Sequence, residues 1–299
     1  MKSAVVVTYE PDIDFTLDMI SSLLHQDISV VVVDNTPDIS LAQLVNDRVM
    51  EKHALDLANK KLFYRAQGNI GLSAAYNVAL DIINKNIPNT VGVMFLDQDS
   101  SVAEGNVSQL WDSFFKLKEK TNIGVLGACP IRVDGLPYRI HRIGALSFEG
   151  QRYTKVERVI SSFSIVPIEV LIELNGFYDD FFIDHIDNDL CYRCRKLGLI
   201  NIVDENVSFV QRIGEGRITF LGRHITPVSS PFRHYYQARN IILSNRRNGA
   251  SSAGTIIMLI KRFVAVSIQA VFYGNALARF KFFSKGIYHG LINKSGELS

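Results

Sequence analysis

Between residues 4 and 128, five short apolar runs alternate with stretches of helical spacing, and this alternation restricts the fold more than any other feature of the chain. Residues 4–8, 30–34, 62–65, 91–97 and 123–128 read as strands, bounded by turn residues and rich in valine and isoleucine. Between them Phe15, Met19, Ile20, Leu23 and Leu24 recur on one helical face, and so do Ala75, Val78, Ala79, Ile82 and Ile83. A βαβ rhythm of this kind predicts an α/β domain whose mostly parallel central sheet is flanked by helices. Ligands of such sheets bind outside the carboxyl ends of the strands. Thr8-Tyr9-Glu10, Asp34-Asn35 and Asp97-Gln98-Asp99 all fall at such ends, so three polar clusters are expected to line one crevice.

The third cluster carries the clearest chemistry. Two carboxylates one residue apart at a strand end are hard oxygen ligands for Mg²⁺ or Mn²⁺, which keep other positions for water and substrate phosphates. A calcium loop starting at Asp97 is excluded, because Val102 and Ser108 stand where glycine and glutamate are needed. A nucleoside diphosphate is therefore the expected ligand class. The segment from Asn69 to Asn77 follows a strand and opens a helix; Gly71 permits close backbone approach, and the helix start presents amides to a ligand. Further on, Asp184-His185-Ile186-Asp187-Asn188-Asp189 sets three carboxylates beside Phe181 and Phe182, ahead of a helix expected from Ile186 to Leu197 and stopped by Gly198. One aspartate suffices to cap that helix, so an acidic cleft is expected, with a carboxylate placed to act as general base on an acceptor hydroxyl.

The 299 residues are 47% apolar and 21% charged, enough for one large domain with a sizeable core. Three cysteines are too few for a disulfide framework, and the expected setting is reducing and cytoplasmic. Cys191 and Cys194 form a CxxC without a second pair, which reads as two thiols one helical turn apart rather than as a zinc site. The net charge of +2 hides an asymmetry, since residues 1–215 carry −9 and residues 216–299 carry +11. Long aliphatic runs interrupt the basic residues, so no nucleic-acid stripe is formed. Residues 253–283 are strongly apolar, with Lys261-Arg262 in mid-run and Arg279, Lys281 and Lys285 following. That pattern predicts an interfacial helix pair on an anionic membrane surface rather than a span; the plainer alternative is a helical hairpin packed on the core or on a second subunit of a homodimer. Strands are also expected at residues 139–146, 158–166 and 200–209.

Taken in order, Val6-Val7-Thr8-Tyr9-Glu10-Pro11, Val33-Asp34-Asn35, Asn69-x-Gly71 to Asn77, Asp97-x-Asp99, Asn175-Gly176-Phe177, Phe182-Ile183-Asp184-His185-Ile186-Asp187 and Leu190-Cys191-x-Arg193 resemble family 2 inverting glycosyltransferases over residues 4 to about 250. Tyr235-Tyr236-x-x-Arg239-Asn240 resembles the C-terminal signature of bacterial rhamnosyltransferases that build surface polysaccharides. The resemblance implies a GT-A fold with a catalytic domain over 1–250, divided into a nucleotide-sugar lobe (1–130) and an acceptor lobe (131–250), and an amphipathic helical tail over 251–299. It implies dTDP-L-rhamnose as donor and a lipid-linked saccharide as acceptor, in O-antigen or capsule-like synthesis at the inner face of the bacterial plasma membrane. Thr8, Tyr9 and Asp34 are then expected at the nucleoside, Asn69, Gly71 and Asn77 along the donor cleft, and Asp97 and Asp99 at the ribose and the diphosphate-bound metal. Asp187 is expected to be the base, Asp184 and His185 sugar or acceptor contacts, and Arg239 a diphosphate contact. The chain departs from the family at Glu10, where asparagine is frequent, and at Gln211, where a histidine near the metal is frequent, with His224 and His234 as other histidines for that role. Two further readings are an aspartate-nucleophile phosphatase, since residues 95–101 also resemble that strand, and a non-catalytic sugar-nucleotide-binding subunit.

Overall fold

The computed structural model describes residues 1–100, 105–132, 135, 138, 140–148, 150–211, 216–220 and 223–298. Contacts divide the chain into two compact units: Met1–Tyr178 with Leu190–Arg212, and Asp179–Asp189 with Ile213–Ser299.

In the first unit, strands β1 (Lys2–Thr8), β2 (Ile28–Asp34), β3 (Leu62–Ala66) and β4 (Gly92–Asp97) alternate with helices α1 (Ile13–His25), α2 (Ile39–Ala58) and α3 (Leu72–Asn86). Helix α4 (Asn106–Lys120) then leads to β5 (Ile123–Ile131), β6 (Arg142–Phe148), β7 (Gln151–Val156), β8 (Ser164–Pro167) and α5 (Ile168–Glu173). Helix α6 (Ile186–Lys196) precedes β9 (Ile200–Val210), and the division between units runs through its first turn. The described strands form a nine-stranded sheet in the order β3-β2-β1-β4-β8-β5-β9-β7-β6. β2, Ile-Ser-Val-Val-Val-Val-Asp, is buried along its whole length, as expected of a strand covered on both faces. Asp12 caps α1 by accepting the Phe15 amide at 3.1 Å, and Asp38 caps α2 by accepting the Leu41 amide at 2.9 Å. Along α4, Val107, Leu110, Trp111, Phe114 and Leu117 are buried at helical spacing in the core with Val30, Val32, Met94 and Leu96. Each such side chain contributes roughly 1.5–3 kcal/mol on leaving water.

All five strands expected in the first 130 residues form. The sheet is mixed, however, not mostly parallel: β3-β2-β1-β4 and β5-β9 are parallel, whereas β8 runs antiparallel to β4 and β5, and β7 antiparallel to β6 and β9. The hairpin β6-β7 and the short β8 return the chain without crossover helices, which forces the reversed pairings. The strand expected at 158–166 begins only at Ser164, and β7 was not foreseen. Across the expected lobe border near residue 130 the sheet is continuous, since β5 joins β4 through β8.

The second unit holds a hairpin of β10 (Gly216–Phe220) and β11 (Arg223–Val228), then α7 (Arg233–Arg247), α8 (Ser252–Tyr273) and α9 (Ala276–Leu291). Helices α7 and α9 pack closely because α9 is small where they meet: a Cβ on Gly286 would lie 2.3 Å from the Tyr235 carbonyl oxygen. Ala238, Val266 and Phe283 form the apolar centre. The helical tail expected from residue 251 therefore shares its core with α7. Helix α8 is long and apolar enough to cross a membrane, although only 11% of its most apolar window is buried within the protein. Ile256, Ile257, Ile260, Phe263 and Val264 lie exposed on it.

Candidate active site

In the first unit the parallel strands β1, β2 and β4 bring three polar clusters to their carboxyl ends. Thr8 closes β1 and donates its hydroxyl to Asp34 Oδ1 at 2.9 Å. The same oxygen accepts the Thr36 amide at 3.1 Å and the Thr36 hydroxyl at 2.6 Å, while Tyr64 donates to Asp34 Oδ2 at 2.8 Å. Burial, followed by the bond to this carboxylate, pushes the Tyr64 phenol well above its ordinary pKa and keeps it a donor. Asp34 is fully buried, so in this structure it orders the ends of β1, β2 and β3. Next to it, Asn35 is buried with its Oδ1 lacking a hydrogen-bond partner among the described residues, an acceptor left for an incoming donor.

Gln98, the middle residue of Asp97-Gln98-Asp99, was not singled out in the sequence, yet it ties two loops together. It accepts the Tyr9 amide at 2.6 Å and donates to the Tyr9 carbonyl at 3.0 Å. Tyr9 itself is exposed. Asp97 is half-buried and receives Gln211 Nε2 at 3.4 Å, whereas Asp99 is exposed. Gln211 is placed by Tyr138, whose hydroxyl donates to its carbonyl at 3.1 Å, and by Ser100, which donates to its Oε1 at 3.5 Å. Among the described residues no three His, Cys, Asp or Glu side chains converge as a metal site. Asp97 and Asp99 thus offer two oxygen-bearing side chains at most, which fits Mg²⁺ or Mn²⁺ completing its shell with water and phosphate oxygens better than a closed protein cage.

Asn69 Oδ1 accepts the Gly71 amide at 3.3 Å, and Gly71, at φ +84°, begins α3 with no side chain capping the helix. The first amides of α3 are therefore without a side-chain acceptor. Asn77 does not stand open along a cleft. Its Nδ2 donates to the Phe177 carbonyl at 2.8 Å and its Oδ1 accepts the Phe177 amide at 2.9 Å, fixing the Asn175-Gly176-Phe177 turn. Gly176, at φ +68°, is required there because a Cβ would lie 2.3 Å from Asn77 Oδ1.

In the second unit, residues 179–185 form a loop leading into α6, and α7 holds this loop and the first turn of α6 by polar side chains. Phe182, Asp184 and His185 have φ of +64°, +66° and +66°, each costing of order 1–3 kcal/mol. Asn240 Nδ2 donates to the carbonyls of Phe181, Ile183 and Asp184 at 3.0, 2.9 and 2.9 Å. Arg239, fully buried, donates to the carbonyls of Asp180 at 3.0 Å, Phe181 at 2.9 Å and Gly296, and to Asn240 Oδ1 at 2.9 Å. In this structure the guanidinium, expected to meet a diphosphate, is engaged by backbone acceptors. Asp184 is likewise engaged: Arg233 holds it in a two-point ion pair at 3.0 and 2.6 Å. Asp189 is buried and accepts Ser244 Oγ and Asn248 Nδ2. Asp187 is half-buried in the first turn of α6 and accepts the Asn188 amide at 2.7 Å. His185 is half-buried, its ring 6.5 Å from that of Phe181.

His234 is fully buried and accepts Arg279 at 2.9 Å, a structural contact. The side chain of His224 and residues 212–215 lie outside the described residues. Cys191 and Cys194 are buried thiols, and Arg193 donates to the Leu174 carbonyl at 2.9 Å and lies 4.7 Å from the Tyr178 ring, which ties α6 to α5.

Residues 3–173 match the family model described as glycosyl transferase family 2. The chain is also 30% identical over 257 residues to dTDP-rhamnosyl transferase RfbF of Shigella flexneri, an alignment that covers 82% of this chain and 80% of that one.

Proposed function

The chain belongs to glycosyl transferase family 2, and from that premise we propose that it moves L-rhamnose from dTDP-L-rhamnose onto a lipid-linked saccharide during surface-polysaccharide synthesis. The observation that carries the donor is the 30% identity, over four-fifths of both chains, to a relative named as a dTDP-rhamnosyl transferase. Family membership also favours transfer over phosphatase chemistry at Asp97.

In this reading Thr8, Tyr9, Asp34 and Asn35 receive the nucleoside, with Asn69 and Gly71 beside the diphosphate. Asp97 and Asp99 hold Mg²⁺ or Mn²⁺, which when bound offsets charge on the departing diphosphate, a contribution of several kcal/mol. Asp187 accepts the proton of the acceptor hydroxyl as that oxygen attacks the anomeric carbon, and configuration inverts in one displacement. Asp187 is assigned this role because its place in Phe182-Ile183-Asp184-His185-Ile186-Asp187 matches that of the base in the family. The loop geometry serves that role, since a base acts only from a fixed position.

The exposed apolar side of α8, with Lys261 exposed at its flank and Lys281 on α9, supports peripheral attachment to the cytoplasmic face of an anionic membrane. The deciding experiment measures nucleoside diphosphate release from a panel of sugar nucleotides with membrane-extracted acceptors, in Mg²⁺, Mn²⁺ or EDTA, alongside co-sedimentation with anionic vesicles. Release from dTDP-L-rhamnose above all others, lost in EDTA, with protein in the vesicle pellet, is the expected result. Preference for another donor would overturn the rhamnosyl reading, and protein left in the supernatant would overturn the membrane reading.

A further inference from the structure

Within the second unit, α8 and α9 bring the guanidinium groups of Arg262 and Arg279 to one buried imidazole on α7, His234. Arg279 bonds to neutral acceptors through Nε and Nη1: the Gly274 carbonyl at 3.0 Å, the Ser229 carbonyl at 2.7 Å, Gln269 Oε1 at 3.1 Å and His234 Nε2 at 2.9 Å. Arg233 has the Asp184 carboxylate. Arg262, on the inner side of α8, is different. Its Nη2 lies 3.3 Å from His234 Nδ1, its Nε is buried without a hydrogen-bond partner, and its Nη1 makes none among the described residues.

The contact with His234 does not satisfy Arg262 either. Burial, with the Arg262 charge next, pushes the imidazole down to about 4, so the ring is neutral and carries one N–H. Nε2 accepts from Arg279, which places the hydrogen on Nδ1, where it is donated to Gln237 Oε1 at 3.2 Å. A protonated Nδ1 has no lone pair for Arg262. Among the described residues, then, Nε and Nη1 of this arginine have no acceptor, and Nε is buried, where a desolvated donor is costly. Burial also draws the guanidinium down to about 10. It interacts electrostatically with Asp184 and Arg233, three residues from Asp187 at the nearest, and it belongs to the helix whose outer side is apolar and exposed.

We propose that Arg262, with Arg233 beside it, forms an anion subsite that takes the phosphate or diphosphate group of the lipid-linked acceptor. A planar guanidinium with unoccupied donors suits bidentate phosphate recognition, and a phosphate joined to a lipid chain is the anion that an apolar, membrane-facing helix brings within reach. The subsite would hold the acceptor's anionic end while its sugar hydroxyl meets Asp187. The proposal rests on the lipid-linked acceptor reading above.

The test is titration calorimetry of inorganic pyrophosphate into the full-length protein in EDTA, with excess dTDP present to occupy the donor site. Wild type is expected to bind, Arg262→Gln to bind at least tenfold more weakly, and Arg262→Lys to fall between them. Equal binding by wild type and Arg262→Gln, or binding abolished by dTDP, would overturn the subsite. Should Arg262→Gln fail to fold, wild-type melting decides: pyrophosphate should raise Tm in the same buffer, and no shift at millimolar concentration overturns the proposal. Co-sedimentation separates the two sources of lipid phosphate. Vesicles of phosphatidylcholine with phosphatidylglycerol should retain both wild type and Arg262→Gln; loss of vesicle binding by Arg262→Gln with pyrophosphate binding intact would assign the arginine to bilayer headgroups instead. Full turnover by Asp187→Asn would remove the base assignment without altering the pyrophosphate result.

Discussion

The two units position their functional groups by opposite means. In the first, Thr8, Asp34 and Asp97 sit at the ends of strands whose middles are wholly buried, so the sheet places them whatever chemistry they perform. In the second, Asp187 follows a loop with three left-handed non-glycine residues, and the loop keeps its shape because Arg233, Arg239 and Asn240 of one helix bond to it. A strand-end site inherits its order from hydrophobic burial. A loop site must obtain it from polar bonds, each sensitive to a single substitution.

The largest expected effect separates chemistry from scaffold. Asp187→Asn should lower kcat about 10²–10⁴-fold while leaving Tm and donor affinity near wild type; turnover within about tenfold of wild type would remove Asp187 as base. Arg239→Met should act through the scaffold instead, because it removes a buried donor shared by the carbonyls of Asp180, Phe181 and Gly296. A loss of about 3 kcal/mol in denaturant unfolding, with activity lost in parallel, is expected; wild-type stability would show that the loop is held by other contacts.

His234 gives the second unit a pH dependence. Its folded pKa, about 4, lies below the ordinary histidine value of 6.5, so the unfolded chain binds the proton first as pH falls. Stability is therefore fully present above about pH 6.5 and declines toward pH 4, by about 2 kcal/mol at pH 5. Melting of wild type and His234→Gln across pH 5–8 checks this, and parallel curves would refute it. The smallest effect belongs to the first unit: Gln98→Ala removes two bonds to Tyr9 at a strand end and should cost only about 1 kcal/mol, measured by the same unfolding assay. A loss as large as that of Arg239→Met would erase the contrast between the units.

This contrast also explains which residues could be read in advance. The five early strands, the α6 start at Ile186 and the polar clusters at strand ends follow from period and burial, which are local properties of the sequence. Asn77 and Arg239 were expected to face a ligand, and both instead bond to backbone. Their partners lie about a hundred and about sixty residues away, beyond any local pattern. Gln98 and Arg233 were missed for the same reason: nothing in their immediate neighbours distinguishes a surface amide or guanidinium from one that fixes a loop.

By itself the sequence determined that the chain is an α/β protein, that three polar clusters end on neighbouring strands, that a family 2 glycosyltransferase pattern runs through it, and that its C-terminal part is basic and apolar. Those properties depend on residue type and short-range spacing. Only the tertiary structure decided that the sheet is mixed, that Asp184 and Asp189 have partners, that α7 shapes the loop before Asp187, and that the Arg262 Nε is buried without an acceptor among the described residues. Each of these depends on which distant donor meets which acceptor once water has been excluded, and that matching exists only in the folded chain.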